Sequence, residues 1–241
     1  MAFELSYTEV EAQRQTTMKL IESALQELAI IWDAIPDKTD GAIVRMVLED
    51  ALGDIIQTYG QVVATHAAQQ FDSLRAANKV PGRFTALVAK TPERARVNAH
   101  IGAVIEPIFR GAGSNPGLAY KQVQGLVDRM VQEPFRRTID ENVGRSGSRA
   151  QGYARVPSSS EPCDFCLMLA SRGAVYGPKS GKYRADGKKF HSLCYCQLIP
   201  VFDDRTEIED YSPEALLEQY KDRQAEKAEK VLAKSAKLSE A

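Results

Sequence analysis

This sequence predicts a mainly α-helical protein: a domain of long helices followed by a small α+β module organised on cysteine and histidine. Three observations carry that expectation. Apolar residues step by three and four through much of the first 143 positions, the period of helices with one buried face. At Gly144 the texture changes to glycine, serine and short β-prone runs. All four cysteines then fall within the 34 positions from Cys163 to Cys196, joined by one of only three histidines.

Ser6-x-x-Glu9 is a capping box, with Leu5 and Val10 placed as a hydrophobic staple, and it opens a helix over residues 6–35. Met18, Ile21, Leu25, Leu28, Trp32 and Ile35 form its narrow seam, which Pro36 stops. A second helix starts at Thr39 or Asp40 and runs to about Asn78, on a stripe from Val44 to Phe71. Gly53 and Gly60 within it admit a close neighbour or a bend, and His66 on the stripe reads as a satisfied core residue. After a turn at Val80-Pro81-Gly82, Thr91-Pro92-Glu93 opens a third helix, with Thr91 as cap and Pro92 in the first position. His100 on it is expected to be structural or exposed. Pro107 should kink or end this helix, and Gly111-Ala112-Gly113 closes it. Asn115-Pro116 starts the fourth, whose stripe is Val123, Leu126, Val127, Met130 and Val131, with a bend expected at Pro134.

Beyond Gly144, Tyr153–Val156, Ala174–Tyr176 and Leu198–Phe202 read as short strands. Leu167-Met168-Leu169 suggests a short helix after Cys166, ended by Gly173, with Arg172 capping it or pairing with Asp164 and Tyr176 packing against the cysteines. Ser212-Pro213-Glu214 caps a last helix. From about Lys221 the charged pattern reads either as a solvated helix or as a tail ordered by a partner. The expected division is 1–143 for the helical domain, 144–205 for the Cys/His module and 206–241 for the charged C-terminal helix or tail.

Cys163 and Cys166 make a C-x2-C pair; His191, Cys194 and Cys196 make H-x2-C-x-C, with 24 residues between the two clusters. Five soft donors in two short groups joined by a loop suit a tetrahedral ion with sulfur and nitrogen ligands, and zinc in a structural role is the natural candidate. Four donors suffice, so Cys194 or Cys196 is the candidate spare. Two disulfides, packed thiols, or a Cys–His catalytic pair are the competing readings. The first is disfavoured by the lack of a signal peptide, the last by the lack of a recognisable orienting carboxylate.

The runs C-D-F-C-L-M-L-A-S-R-G-A-V-Y (Cys163 to Tyr176) and F-H-S-L-C-Y-C-Q-L-I-P-V-F (Phe190 to Phe202) resemble the MuF-like minor head proteins of tailed bacteriophages. The version carried by actinobacterial phages is the most similar. The resemblance spans residues 145–203 with specific motifs and extends to the helical region only in general character. It implies a virion protein of the phage head, made in the host cytoplasm and acting in head assembly near the portal. The implied partners are portal or major capsid protein, in several copies, with packaged double-stranded DNA as a further contact. Some members carry protease or toxin domains, and no such domain is expected here.

Charge is uneven along the chain. Residues 1–60 hold 11 acidic and 4 basic side chains, residues 72–155 hold 7 and 14, and residues 203–241 hold 11 and 7. A basic middle between acidic ends can pair between segments or face phosphates, and the loop Gly177–Lys189, with five basic residues, can do the same. No stretch reaches the length of a membrane span, so a soluble protein or assembly component is expected. A head maturation protease, a nuclease and a zinc-knuckle DNA-binding module are the rival functions. No Ser/His/Asp set, H-E-x-x-H motif or glycine-patterned phosphate loop supports an enzyme.

Overall fold

The computed structural model describes residues 3–110, 114–157, 162–177, 194, 196–202 and 206–239. Among them are six helices and four short strands. Ser6 caps α1 (Tyr7–Ala34): its hydroxyl accepts from the Glu9 amide at 3.2 Å, and the Glu9 carboxylate accepts from the Ser6 amide at 3.0 Å. These reciprocal bonds satisfy donors that have no partner inside the helix. Asp40, not Thr39, caps α2 (Gly41–Ala77), accepting from the Ala42 and Ile43 amides at 2.8 and 3.3 Å.

The helix α3 (Arg94–Phe109) begins later than Thr91-Pro92 suggests. Its cap position is Glu93, without a side-chain cap bond. Thr91 precedes a proline, which disfavours helical backbone, and its side chain is packed against Gly60, where an added β-carbon would stand 3.2 Å from its methyl group. Asn115 caps α4 (Pro116–Gly144) through the Leu118 amide at 2.9 Å. Pro107 and Pro134 both lie inside their helices; the expected closing glycines at 111–113 lie outside the described residues. α2 and α4 form the most extensive helix pair, and α1 and α3 each pack on both. Leu28, Leu48, Leu52, Ile56, Ile101 and Leu126 are fully buried between them.

An extended segment crosses from α2 to α3 against α4. Asn142 fixes it, its amide accepting from the Leu87 N–H at 2.8 Å and donating to the Leu87 carbonyl at 2.7 Å. Thr138 accepts from the Ala89 amide at 3.1 Å.

The strand β2 (Gly152–Val156) pairs antiparallel with β3 (Gln197–Val201), from Gly152↔Val201 to Val156↔Gln197. All ten residues are buried. The expected strand at 174–176 reduces to a single bridge between Tyr176 and Tyr153. The helix α5 (Asp164–Ala170) starts straight after Cys163, so Cys166 lies within it, not before it. Two three-residue strands escaped the sequence reading. β1 (Phe3–Leu5) and β4 (Thr206–Ile208) pair in parallel, too short for any period to show.

The last helix, α6 (Pro213–Ser239), begins after Ser212, whose hydroxyl accepts from the Ala215 amide at 3.1 Å. The segment beyond Lys221 is therefore helical. It docks on α5 through Asp164, which accepts from Gln224 at 2.7 Å and pairs with Lys227 and Arg223. Asp164 is thus taken by α6 and not by Arg172, whose guanidinium reaches Met168 Sδ at 3.9 Å. Residues 225–235 of α6 are exposed.

One hydrophobic core runs from the helices into the module. Phe71 of α2 meets Phe202 edge to face at 5.5 Å. Tyr153 and Tyr176 stack at 5.7 Å. The Tyr176 hydroxyl donates to the Leu169 carbonyl at 2.5 Å, and Tyr211 reaches Ala170 in the same way at 2.6 Å. Among the described residues, no helix is long and apolar enough to cross a membrane.

Candidate metal centre

Cys163 sits at the cap position of α5 with extended backbone, and its sulfur accepts from the Cys166 amide at 3.3 Å. One turn in, Cys166 is on the buried face of α5 with Leu167, Leu169 and Ala170. After Ser171 the chain reverses through Gly173, whose φ of 72° is costly for other residues, and returns to Tyr176 beside β2. Cys194 and Cys196 come from the run into β3, which starts one residue after Cys196. A spacing of two places both thiols on one side of an extended chain.

These two segments bring Cys166, Cys194 and Cys196 together, all buried, with their sulfurs within 4.8 Å of one another. The Cys166 and Cys194 sulfurs are 3.5 Å apart. None of the four cysteines is in a disulfide, and 3.5 Å is far beyond the roughly 2.05 Å of an S–S bond. A zinc ion with Zn–S bonds of about 2.3 Å in a tetrahedron holds its sulfurs about 3.8 Å apart. The observed spacing fits such an ion, and thiolate donors are the type it prefers.

Of the five donors singled out from the sequence, the structure gathers these three. Cys163 is half-buried and stays outside the group of three. His191 lies outside the described residues, as do residues 178–189 of the basic loop. His66 and His100 are elsewhere. The half-buried His66 packs its ring 6.4 Å from Phe135. Its Nε2 is buried with no hydrogen-bond partner among the described residues, so it is less satisfied than its place on the stripe suggests. Burial pushes its pKa down, opposed by a bond to the Gln13 backbone. His100 Nδ1 lies 2.8 Å from the Arg96 carbonyl.

Two arginines absent from the sequence reading flank the sulfurs. Arg136 of α4 donates to Gln132 Oε1 at 2.6 Å and to the Cys194 carbonyl. Gln132 in turn donates to Asp128 at 2.9 Å. Arg155 of β2 places Nη2 3.8 Å from the Cys194 sulfur. Both are buried, at 4% and 3% exposure. Arg14 of α1 adds a third buried guanidinium nearby, donating to the Pro157 carbonyl at 2.8 Å and pairing with Glu11. A cavity of about 10 Å³ between Arg14, Gln132, Arg136 and Cys196 separates α1 from the sulfurs, room for about one water.

The three thiols therefore differ. Hydrogen bonds from Cys166 and Cys196 hold the Cys194 thiol far below its ordinary value, aided by Arg136 and Arg155 and opposed by burial. Cys166 is pushed up by its bonds to Cys194 and Cys196 and by burial. Thiols that bind a metal lose their protons as they do so, so ion binding at such a cluster would be linked to proton release.

The signals for these arginines were weak. Arg136 follows Gln132 by one helical turn beside the apolar stripe of α4, and Arg155 is the charged residue in a five-residue strand. Neither belongs to a motif.

Gene 15 protein of Mycobacterium phage D29 is 28% identical to this chain over 129 residues, 41% of this chain and 47% of that protein. Gene 15 protein of Mycobacterium phage L5 is 30% identical over 87 residues, 22% of this chain and 30% of that protein. The matched regions thus span less than half of either relative's length. No solved structure matches the chain. The VG15 protein family matches residues 4–223, reaching from the first strand into the last helix and including every cysteine. The chain belongs to the VG15 protein family.

Proposed function

We propose that this protein is a structural minor head protein of a tailed phage, of the MuF-like type, and that a zinc ion fixes its cysteine module. The observation that carries the reading is the convergence of Cys166, Cys194 and Cys196 from two separate segments in the module that resembles those proteins. Family membership and the mycobacteriophage relatives support a phage role. In this reading the long helices bind portal or capsid subunits. The basic middle of the chain lies near packaged DNA, and the zinc shell, completed by Cys163 or His191, stabilises the fold by linking binding to folding.

Mass spectrometry of purified virions, separated into heads and tails, is the test, run beside particles from a phage in which this reading frame is interrupted. The expected result is the protein in the head fraction at several copies, with defective heads when it is missing. Its absence from purified heads, with normal heads assembled without it, would overturn the proposal.

A further inference from the structure

We infer that Arg136 and Arg155 are the buried counter-charges of a metal–thiolate centre and that they set its affinity for the ion. This rests on the zinc reading above. Arginine stays protonated in proteins, and taking a guanidinium out of water is costly unless an anion or a full set of acceptors compensates. Both side chains are almost fully buried and both converge on one residue, Arg136 on the Cys194 carbonyl and Arg155 on its sulfur.

Among the described residues, each buried carboxylate has a partner of its own. Glu133 holds Arg96 at 2.5 and 2.8 Å. Asp140 bonds the Tyr153 hydroxyl. Asp128 reaches Arg136 through Gln132.

A divalent ion with three thiolates and a neutral imidazole carries one net negative charge, and with four thiolates it carries two. A shell of neutral oxygen ligands around the same ion would be cationic and would be repelled here. The guanidiniums therefore favour a soft, thiolate-rich shell. They also explain why a strand buried on both faces keeps an arginine at position 155.

Arg155 approaches the sulfur with a single nitrogen at 3.8 Å, so lysine can supply its charge. Arg136 bonds both the Gln132 side chain and the Cys194 carbonyl from one nitrogen, Nη2, so replacing it would break those bonds as well as remove a charge. The test is zinc affinity of the full-length protein, by competition with a chromophoric chelator, for wild type, Arg155→Met and Arg155→Lys. Cobalt-to-thiolate absorption reports the site itself, and far-UV circular dichroism of the metal-free proteins checks the fold.

We expect Arg155→Met to weaken zinc binding at least tenfold, within the roughly 10–100-fold range of residues that support metal ligands. Arg155→Lys should stay within about threefold of wild type, by the same scale. If Arg155→Met loses helix, Arg155→Gln takes its place with the same expectation. Wild-type affinity in the neutral variants overturns this inference and leaves the zinc reading intact. Equal loss in the lysine and methionine variants also overturns it, because charge would not be the operative property. A wild-type protein that binds no zinc overturns the zinc reading first, and this inference with it.

Discussion

Gly152→Ala is the sharpest single test of how the module is assembled. A β-carbon on Gly152 would lie 2.4 Å from the Ala174 carbonyl oxygen and 2.9 Å from that of Tyr176. Comfortable C···O contacts begin at roughly 3.3 Å, so β2 and the 174–176 segment must separate by close to an ångström. The neighbouring bond from the Tyr153 amide to the Tyr176 carbonyl is 2.8 Å long, and that displacement carries it out of range. Overpacking costs about 1–3 kcal/mol, and an orphaned buried amide adds a further ~1–3 kcal/mol. Partial relaxation shares these terms, so the expected loss is about 2–5 kcal/mol. At roughly 2–4 °C per kcal/mol for a chain of this size, Tm should fall by about 4–20 °C in scanning calorimetry. Gly117→Ala is the matched control: its β-carbon would meet only Asn115 Oδ1, at 3.7 Å, so Tm should hold or rise slightly. A Gly152→Ala protein melting within about 2 °C of wild type by that scale would refute the close backbone approach on which the module is built.

Other outcomes follow from the same structure. Elemental analysis should find about one zinc per chain, as a four-ligand structural site holds a single ion; stripping it with a strong chelator should lower Tm, and an unchanged melt would remove the ion from the account. Asn142→Ala leaves the Leu87 amide and carbonyl without partners in a half-buried place. It should cost about 2–4 kcal/mol, read as a lower urea midpoint with faster hydrogen exchange at Leu87 and Ala89. Asp164 is held below the usual carboxylate range, first by its hydrogen bond with Lys227 and then by Gln224 and Arg223, against burial. A depressed carboxylate stabilises the fold above its unfolded value, near ~3.9, and that contribution fades as pH falls through the lower folded value. Asp164→Asn at neutral pH should therefore speed hydrogen exchange in the first half of α6, at a cost below about 1 kcal/mol, without changing α2; equal exchange in both proteins would count against that anchor.

The long helices were legible because their signals are local. The Ser6–Glu9 box, Asp40, and Asn115 with Pro116 act within one turn, and each opens a helix where the sequence places it. Thr91 misled because a cap motif competes with tertiary packing, and Gly60 supplied a better place for that side chain. In the module, C-x-C announced that the Cys194 and Cys196 sulfurs lie together, whereas the C-x2-C pair brings Cys166 alone to them and leaves Cys163 outside. What could not be read was everything that depends on distant partners. The β1–β4 pairing joins residues about two hundred positions apart. Arg155 takes its meaning from a sulfur 39 positions away. No local pattern encodes such juxtapositions; they arise when the core closes.

The pairing of β1 with β4 also has a mechanical side. Because the strands run parallel, tension applied between residue 3 and the start of α6 pulls the two strands lengthwise past each other. All the rungs of that small ladder then bear load together, whereas strands peeled from one end would come away rung by rung. Between the same two points lie the helices and the cysteine module, enclosed like a loop of cord drawn through a clasp. A pull on the outer end of α6 first strains its docking on Asp164, and the tension that passes on to the start of α6 then meets a fastening loaded in its stronger direction.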